Sequence, residues 1–194
     1  MTRKVVGFDL DGVCFNFADS LRRYLIYKGI RKASDFPAGE TKRWNFYEDW
    51  GFTLEEFLQH CHDGADEGFI FVGGTRPGAV EAMNTLHDAG YTIRIITDRS
   101  FGSRPEVSQI NTFNWLQEHG FKYHSVTFSA DKTVVHADFF IEDKLENYDA
   151  LDAIGVEVYL INRPWNSHVK DNRRRVKTLE EFVNIVMSKD LVDA

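Results

Sequence analysis

Cysteine is scarce in this 194-residue chain, which has Cys14 and Cys61 and no other. They form no CxxC pair, so no disulfide framework is implied and a reducing compartment is expected. Neither is followed six positions later by arginine, which removes a cysteine-phosphatase reading. Proline occurs four times and leaves no Pro-rich linker. Positive charge is in deficit: 23 Lys and Arg stand against 30 Asp and Glu, for a net charge of −7. Duplex nucleic acid needs a basic face, so it is not an expected partner. No apolar run approaches bilayer length, and no apolar segment precedes the first strand. A cytoplasmic protein with neither membrane partner nor secretory leader is therefore expected. There is no GxxxxGK[ST] and no GxGxxG, so P-loop and dinucleotide sites are unsupported. Internal repeats and low-complexity stretches are also missing.

The chain does contain strands alternating with helices. Near-continuous apolar runs at 4–9 (KVVGFD), 91–97 (YTIRIIT), 124–128 (HSVTF), 138–142 (DFFIE) and 156–161 (VEVYLI) predict parallel strands covered on both faces. Pro77 and Gly90 bracket one helix, and Pro105 and Gly120 bracket another. Thr178 and Glu181 form a capping box for the last helix, with Leu179, Phe182, Val183 and Val186 on its inner face. The expected fold is α/β: a doubly wound, Rossmann-like, mostly parallel five-stranded sheet. The stretch between Asp11 and Pro77, about sixty residues, is too long for a simple crossover. It holds helical pieces at 17–28 and at 54–62, the latter behind a Thr53–Glu56 capping box. It is read as a helical cap, residues 15–76, inserted into a core of 1–14 and 77–194.

The stretch KVVGFDLDGVCFNF, residues 4–17, ends a strand on two carboxylates, Asp9 and Asp11. Like charges so close repel, and aspartate is a poor strand former. Open α/β sheets bind ligands beyond the carboxyl ends of their strands. Asp9 and Asp11 lie there, as does the Glu142–Asp143 pair. A divalent cation such as Mg²⁺, which takes carboxylate, water and phosphate oxygens, would resolve the repulsion. Gly12 lets the chain turn sharply. Thr97 offers a strand-end hydroxyl and Lys132 a cation for phosphate oxygens. The tetrapeptide DLDG alone also fits a fragment of an EF-hand loop or an acidic strand end without function. The ordered set of Asp-x-Asp, Thr, Lys and Glu-Asp, mostly at strand ends, favours a phosphate site.

The motifs DLDGV, IITD, Lys132 and FFIED resemble the four motifs of the haloacid dehalogenase-like phosphohydrolases. Residues 131–144, DKTVVHADFFIEDK, and 69–83, FIFVGGTRPGAVEAM, are similar to segments of the 5′(3′)-deoxyribonucleotidases within that superfamily. The resemblance spans almost the whole chain. It implies Asp9 as a nucleophile that forms an aspartyl-phosphate and Asp11 as the acid and base. It implies Mg²⁺ held by Asp9, the backbone carbonyl of Asp11, and Asp143. Thr97, Asp98 and Lys132 fall at the phosphate. Glu142 stands where the nucleotidases usually have Asp, and is expected to reach the metal through water. Motif two departs from the usual Thr-Ser-Pro: here Asp98 and Arg99 follow Thr97, which bears on substrate identity. The resembling family contains dimers, so a homodimer is implied on that ground alone.

The insertion is rich in aromatic residues, among them Phe15, Phe17, Trp44, Phe46, Tyr47, Trp50, Phe69 and Phe71. Rings stacked on a base contribute on the order of 1–3 kcal/mol each. Most are expected to form the cap's own core. Phe17 and Trp44 match the base-contacting aromatics of the nucleotidase pattern and are the expected substrate-binding residues. The run HCHD at 60–63 lies in an amphipathic helix where His60 and His62 do not share a face, so no metal site is expected. Arg173 to Arg175 read as a solvated loop in which one arginine could pair with a core acid. NRPWN, 162–166, follows the last strand near the expected active-site edge; it resembles a recurrent loop of these phosphatases and is given no role. The expected partner is a small phosphomonoester, a deoxyribonucleoside monophosphate. The alternatives are another phosphate ester (a sugar phosphate, a ribonucleotide or a nucleic-acid end) or a catalytically silent binding domain.

Overall fold

The computed structural model describes residues 3–192. The chain divides into two compact units: Met1–Phe15, Thr75–Asp98 and His119–Ala194 form one, and Asn16–Gly74 with Arg99–Glu118 form the other. Six strands occur among the described residues: β1 Val5–Phe8, β2 Thr92–Thr97, β3 Ser125–Phe128, β4 Phe139–Glu142, β5 Glu157–Ile161 and β6 Arg175–Val176. The helices in chain order are α1 Phe17–Tyr27, α2 Phe46–Asp49, α3 Leu54–Asp66, α4 Ala79–Asp88, α5 Pro105–Glu118, α6 Leu145–Ala153 and α7 Leu179–Val192.

In the first unit the strands form one sheet in the order β3-β2-β1-β4-β5-β6, with every pair parallel. All residues of β1 and β4 are buried, as expected of central parallel strands covered on both faces. On one face Val5, Ile96, Phe140, Val158 and Leu160 pack with Tyr148 and Leu151 of α6. On the other, Phe8 and Tyr159 meet the Phe182 ring of α7 at centroid distances of 5.8 and 5.6 Å. Glycine is required at position 7 of β1, because a Cβ there would lie 2.2 Å from the Phe140 ring. Leu179, Phe182, Val183 and Val186 are the buried face of α7, as their spacing predicts. The cap of α7 differs in detail from the expected box: Thr178 Oγ1 accepts from Glu181 N at 3.1 Å, but Glu181 Oε2 accepts from Lys177 N at 2.7 Å.

The expectation of five strands and a solvated loop at Arg173–Arg175 is corrected by β6. Leu160 N donates to Arg174 O at 2.8 Å and Asn162 N to Val176 O at 2.9 Å, which adds a sixth parallel edge strand. The arginines are paired. Arg173 bonds Asp149 at 2.7 Å and also Asp171, while Arg174 reaches Asp152 and donates to Val158 O at 3.0 Å.

The second unit contains α1, α2, α3 and α5. Thr53 and Glu56 form the expected capping box at the start of α3, which runs to Asp66. Tyr24 of α1 and Lys28 both bond the Glu67 carboxylate just beyond α3, at 3.1 and 2.9 Å. The alternating pattern assigned α5 to the core, yet its segment bonds repeatedly to this unit. Ser103 N donates to Asp66 at 2.8 Å, Asn111 Nδ2 to Ala65 O at 2.9 Å, and Trp115 Nε1 to Gly73 O at 2.9 Å. The two HCHD histidines take separate roles. His60 sits edge-on to Phe52 at 5.1 Å, and His62 Nδ1 accepts from Gly102 N at 3.0 Å.

Candidate active site

The strand order reverses at β1, whose neighbours are β2 on one side and β4 on the other. A switch point of this kind opens a crevice beyond the carboxyl ends of the strands. Phe8 pairs with Ile141, and Asp9 N donates to Ile141 O at 3.2 Å, so Asp9 leaves β1 beside Glu142 and Asp143 at the end of β4. The chain then closes a tight turn in which Cys14 N and Phe15 N donate to Leu10 O at 2.7 and 2.8 Å. Gly12 has φ of +84°, and a Cβ there would lie 2.0 Å from Asp143 Oδ2. Both backbone and space therefore exclude a side chain at position 12. Lys132 opens a short 3-10 turn, Lys132–Val134, whose cap Asp131 accepts from Thr133 N at 2.9 Å. Its Nζ donates to Asp9 Oδ1 at 3.0 Å and to Ile96 O at 2.9 Å.

Asp9, Glu142 and Asp143 are all buried, and one carboxylate oxygen from each lies within 4.8 Å of the others. At 4.8 Å two unit charges repel by roughly 3–4 kcal/mol at an effective dielectric near 20. Burial raises the Asp9 carboxyl to about 7; Glu142 and Asp11 add to the rise, and Lys132 opposes it. Burial also holds Asp143 well above the usual carboxylate range, reinforced by Glu142 and Asp9. Burial pulls the Lys132 ammonium down, but Asp9, Glu142 and Asp11 outweigh it and the net direction is up. Glu142 Oε1 accepts from the Asp143 and Lys144 amides at 3.1 Å each. Glu142 Oε2, Asp143 Oδ1 and the Thr97 hydroxyl are buried without hydrogen-bond partners. A cluster of acceptors short of positive charge, with oxygens left over, fits the hard oxygen chemistry of a divalent cation.

Of the residues singled out in the sequence, Asp9, Lys132 and Asp143 are brought together with Glu142, and buried Thr97 ends β2. Asp11 is half-buried and its side chain is not one of the three close carboxylates. Asp98 is exposed. Phe17 and Trp44 belong to the second unit. Phe17 is packed among Phe46, Phe57, Phe71 and Phe101, stacked on the last at 5.8 Å. Trp44 is 51% exposed. Arg99, 2% exposed, lies over Phe71 at 4.4 Å and Trp115 at 5.4 Å, and donates to Thr112 Oγ1 at 3.2 Å. The same unit contains a cavity of about 550 Å³ with Asp19, Arg22, Phe36, Lys42, Phe46 and Trp50 in its lining. The sequence reading has Glu142 reaching a metal through water and the loop 162–166 near the active-site edge without a role. In the structure Glu142 is one of the three close carboxylates and Trp165 Nε1 donates to Asp143 Oδ2 at 2.9 Å. The signal was available in NRPWN, an aromatic and an arginine just past a strand end.

The profile of the family described as "5' nucleotidase, deoxy (Pyrimidine), cytosolic type C protein" matches residues 3–191. A curated protein of Chlorobaculum tepidum, described as "Putative 5'(3')-deoxyribonucleotidase", is 34% identical over 173 residues, covering 87% of this chain and 84% of the relative. Among solved structures, D,D-heptose 1,7-bisphosphate phosphatase from Burkholderia thailandensis superposes with a TM-score of 0.55 at 16% identity, over 96% of this chain and 99% of that one. A haloacid dehalogenase-like family hydrolase from Xanthomonas campestris gives 0.58 at 13% identity, over 96% and 95%. These structural likenesses establish the fold. By the match over residues 3–191 and the 34% identity across most of its length, the chain belongs to the deoxy (pyrimidine) cytosolic type C 5′-nucleotidase family, phosphoric monoester hydrolases built on the haloacid dehalogenase-like fold.

Proposed function

We propose that the chain is a Mg²⁺-dependent phosphomonoesterase that dephosphorylates deoxyribonucleoside monophosphates through an aspartyl-phosphate on Asp9. The observation that carries this reading is the buried group of Asp9, Glu142 and Asp143, with Lys132 bonded to Asp9 at 3.0 Å. The Asp9 carboxylate attacks phosphorus as the bond to the ester oxygen breaks, and Asp11 gives that oxygen a proton, releasing the nucleoside. Water then attacks the phosphorus of the aspartyl-phosphate while Asp11 takes its proton, returning inorganic phosphate and free Asp9. Lys132 and the unpartnered Thr97 hydroxyl hold phosphate oxygens and offset the charge spread over them. Asp98, exposed, stands next to Thr97 and keeps its chain position at the phosphate loop rather than offering a cation. Asp9, Asp143 and the Asp11 carbonyl would hold Mg²⁺, which would supply the positive charge needed to keep the buried Asp9 carboxyl ionised.

The deoxyribonucleotide is favoured by the family match and by the description of the relative from Chlorobaculum tepidum. Base recognition is assigned to Phe17 and Trp44. Because Phe17 is packed among four other rings, Trp44 is the cleaner probe. The test is phosphate release, with and without Mg²⁺, from deoxyribo- and ribonucleoside 5′- and 3′-monophosphates and sugar phosphates, with Asp9→Asn as blank. Mg²⁺-dependent release confined to deoxyribonucleotides, and a raised KM in Trp44→Ala, are expected. Release from sugar phosphates alone would overturn the substrate. None from folded, Mg²⁺-loaded protein would overturn the enzyme and leave a binding domain.

A further inference from the structure

The loop 162–166, NRPWN, holds both chain segments that carry the acidic cluster. Arg163 Nε donates to Gly12 O at 2.6 Å and Nη2 to Val13 O at 3.3 Å. Asn166, 1% exposed, donates through Nδ2 to Asp143 O at 2.7 Å and Ile161 O at 2.9 Å, and accepts from Arg163 N at 3.0 Å. Between these two anchors Trp165 Nε1 donates to Asp143 Oδ2 at 2.9 Å. The Arg76 guanidinium lies 5.7 Å from the centre of the indole ring. The two oxygens of Asp143 are therefore unequal. Oδ2 carries the indole N–H and lies so close to Gly12 that no Cβ fits there, while Oδ1 is buried with no hydrogen-bond partner.

We propose that Trp165 is a positioning residue for cation binding: its indole N–H fixes Asp143 by one oxygen and leaves the other, Oδ1, as the ligand. The inference rests on the cation-binding reading above. An oxygen already engaged by the indole N–H is the poorer donor to a cation, so the loop favours binding through the unpartnered Oδ1. Arg163 and Asn166 keep the indole in register with the turn at Gly12. Partners of this kind, which touch the ligand and not the metal, typically govern affinity by 10- to 100-fold.

Phenylalanine at position 165 keeps a ring over Arg76 and removes only the N–H. Free Mn²⁺ counted by electron paramagnetic resonance, without substrate, gives the dissociation constant for the wild type and for Trp165→Phe. Thermal unfolding of both in chelator reports their folding. The expected result is an unchanged chelated midpoint with Mn²⁺ bound about 10- to 100-fold more weakly. Wild-type affinity in the folded variant would overturn the proposal alone, whereas no Mn²⁺ binding by the wild type would overturn the cation reading and this proposal with it. If Trp165→Phe fails to fold, the wild type decides by its indole N–H resonances. The Trp165 signal, identified by exclusion through Trp44→Phe, Trp50→Phe and Trp115→Phe, is expected to move on Mg²⁺ titration with the others still. A Trp165 signal that stays in place overturns the proposal.

Discussion

A carboxyl raised from 3.8 to about 7 in the folded chain, as at Asp9, binds its proton more tightly there than in the unfolded chain. Between those values the folded state holds the extra proton, so stability falls as pH rises through the window. Asp143 acts in the same direction. Exposed carboxylates act the other way. Asp49, held low by Arg43, Asp66 by the Ser103 amide and Asp88 by Lys122 add stability that is already complete once pH exceeds the ordinary carboxylate range. From pH 5 upward, among the described residues, only His124, whose imidazole burial holds below its usual value, adds stability as pH rises. The two buried carboxyls act together against that single group and decide the trend. In chelator, the urea midpoint is expected to fall between pH 5 and pH 8. Saturating Mg²⁺ should abolish the fall and Asp9→Asn should flatten it. A midpoint that holds or rises in the chelated wild type would refute the assignment of a raised carboxyl at Asp9.

The elements that could be read from the sequence are those with local grammar. Thr53 and Glu56 sit three residues apart and satisfy each other's orphan groups whatever the rest of the chain does, with Glu56 N donating to Thr53 Oγ1 at 3.2 Å. Thr53→Ala leaves α3 intact in register but uncapped. It is expected to cost about 0.5–2 kcal/mol, seen as a lowered denaturant midpoint with an unchanged slope; an unchanged midpoint would show the cap to be idle. What escaped the sequence lacked that grammar. The strand β6 is two residues long and begins with an arginine, so no alternation could announce it; its pairing partner lies in β5. The placement of α5 depends on bonds from Asn111 to Ala65 and from Trp115 to Gly73, 46 and 42 residues away, which leave no trace in helical periodicity. Of the candidate site residues, Asp9 and Asp143 stand at the ends of apolar runs that read as strands, whereas Lys132 stands out only by its place in the ordered set and by the resemblance of 131–144 to the nucleotidases. The role of Trp165 was not legible, because a tryptophan in a loop gives no local sign of which side chain its N–H meets, here Asp143.

At the scale of the whole chain, a cation bound by the folded state alone stabilises it by mass action. At a concentration of 100 times its dissociation constant the gain is about 2.7 kcal/mol. Asp9, Glu142 and Asp143 all belong to the first unit, so amides of β1 and β4 are expected to show that gain in opening free energy by native-state hydrogen exchange. No gain there would argue against a cation held by Asp9 and Asp143. The division into units also bears on how these enzymes can be recombined. The chain passes between its units at residues 15–16, 74–75, 98–99 and 118–119, so the second unit is written into the gene as two separate cassettes. An exchange of the stretch 15–76 with that of another member would carry Gly73 and Ala65 away while leaving Trp115 and Asn111 behind. Only a double graft, with both cassettes from one donor, transplants the unit together with its own partners.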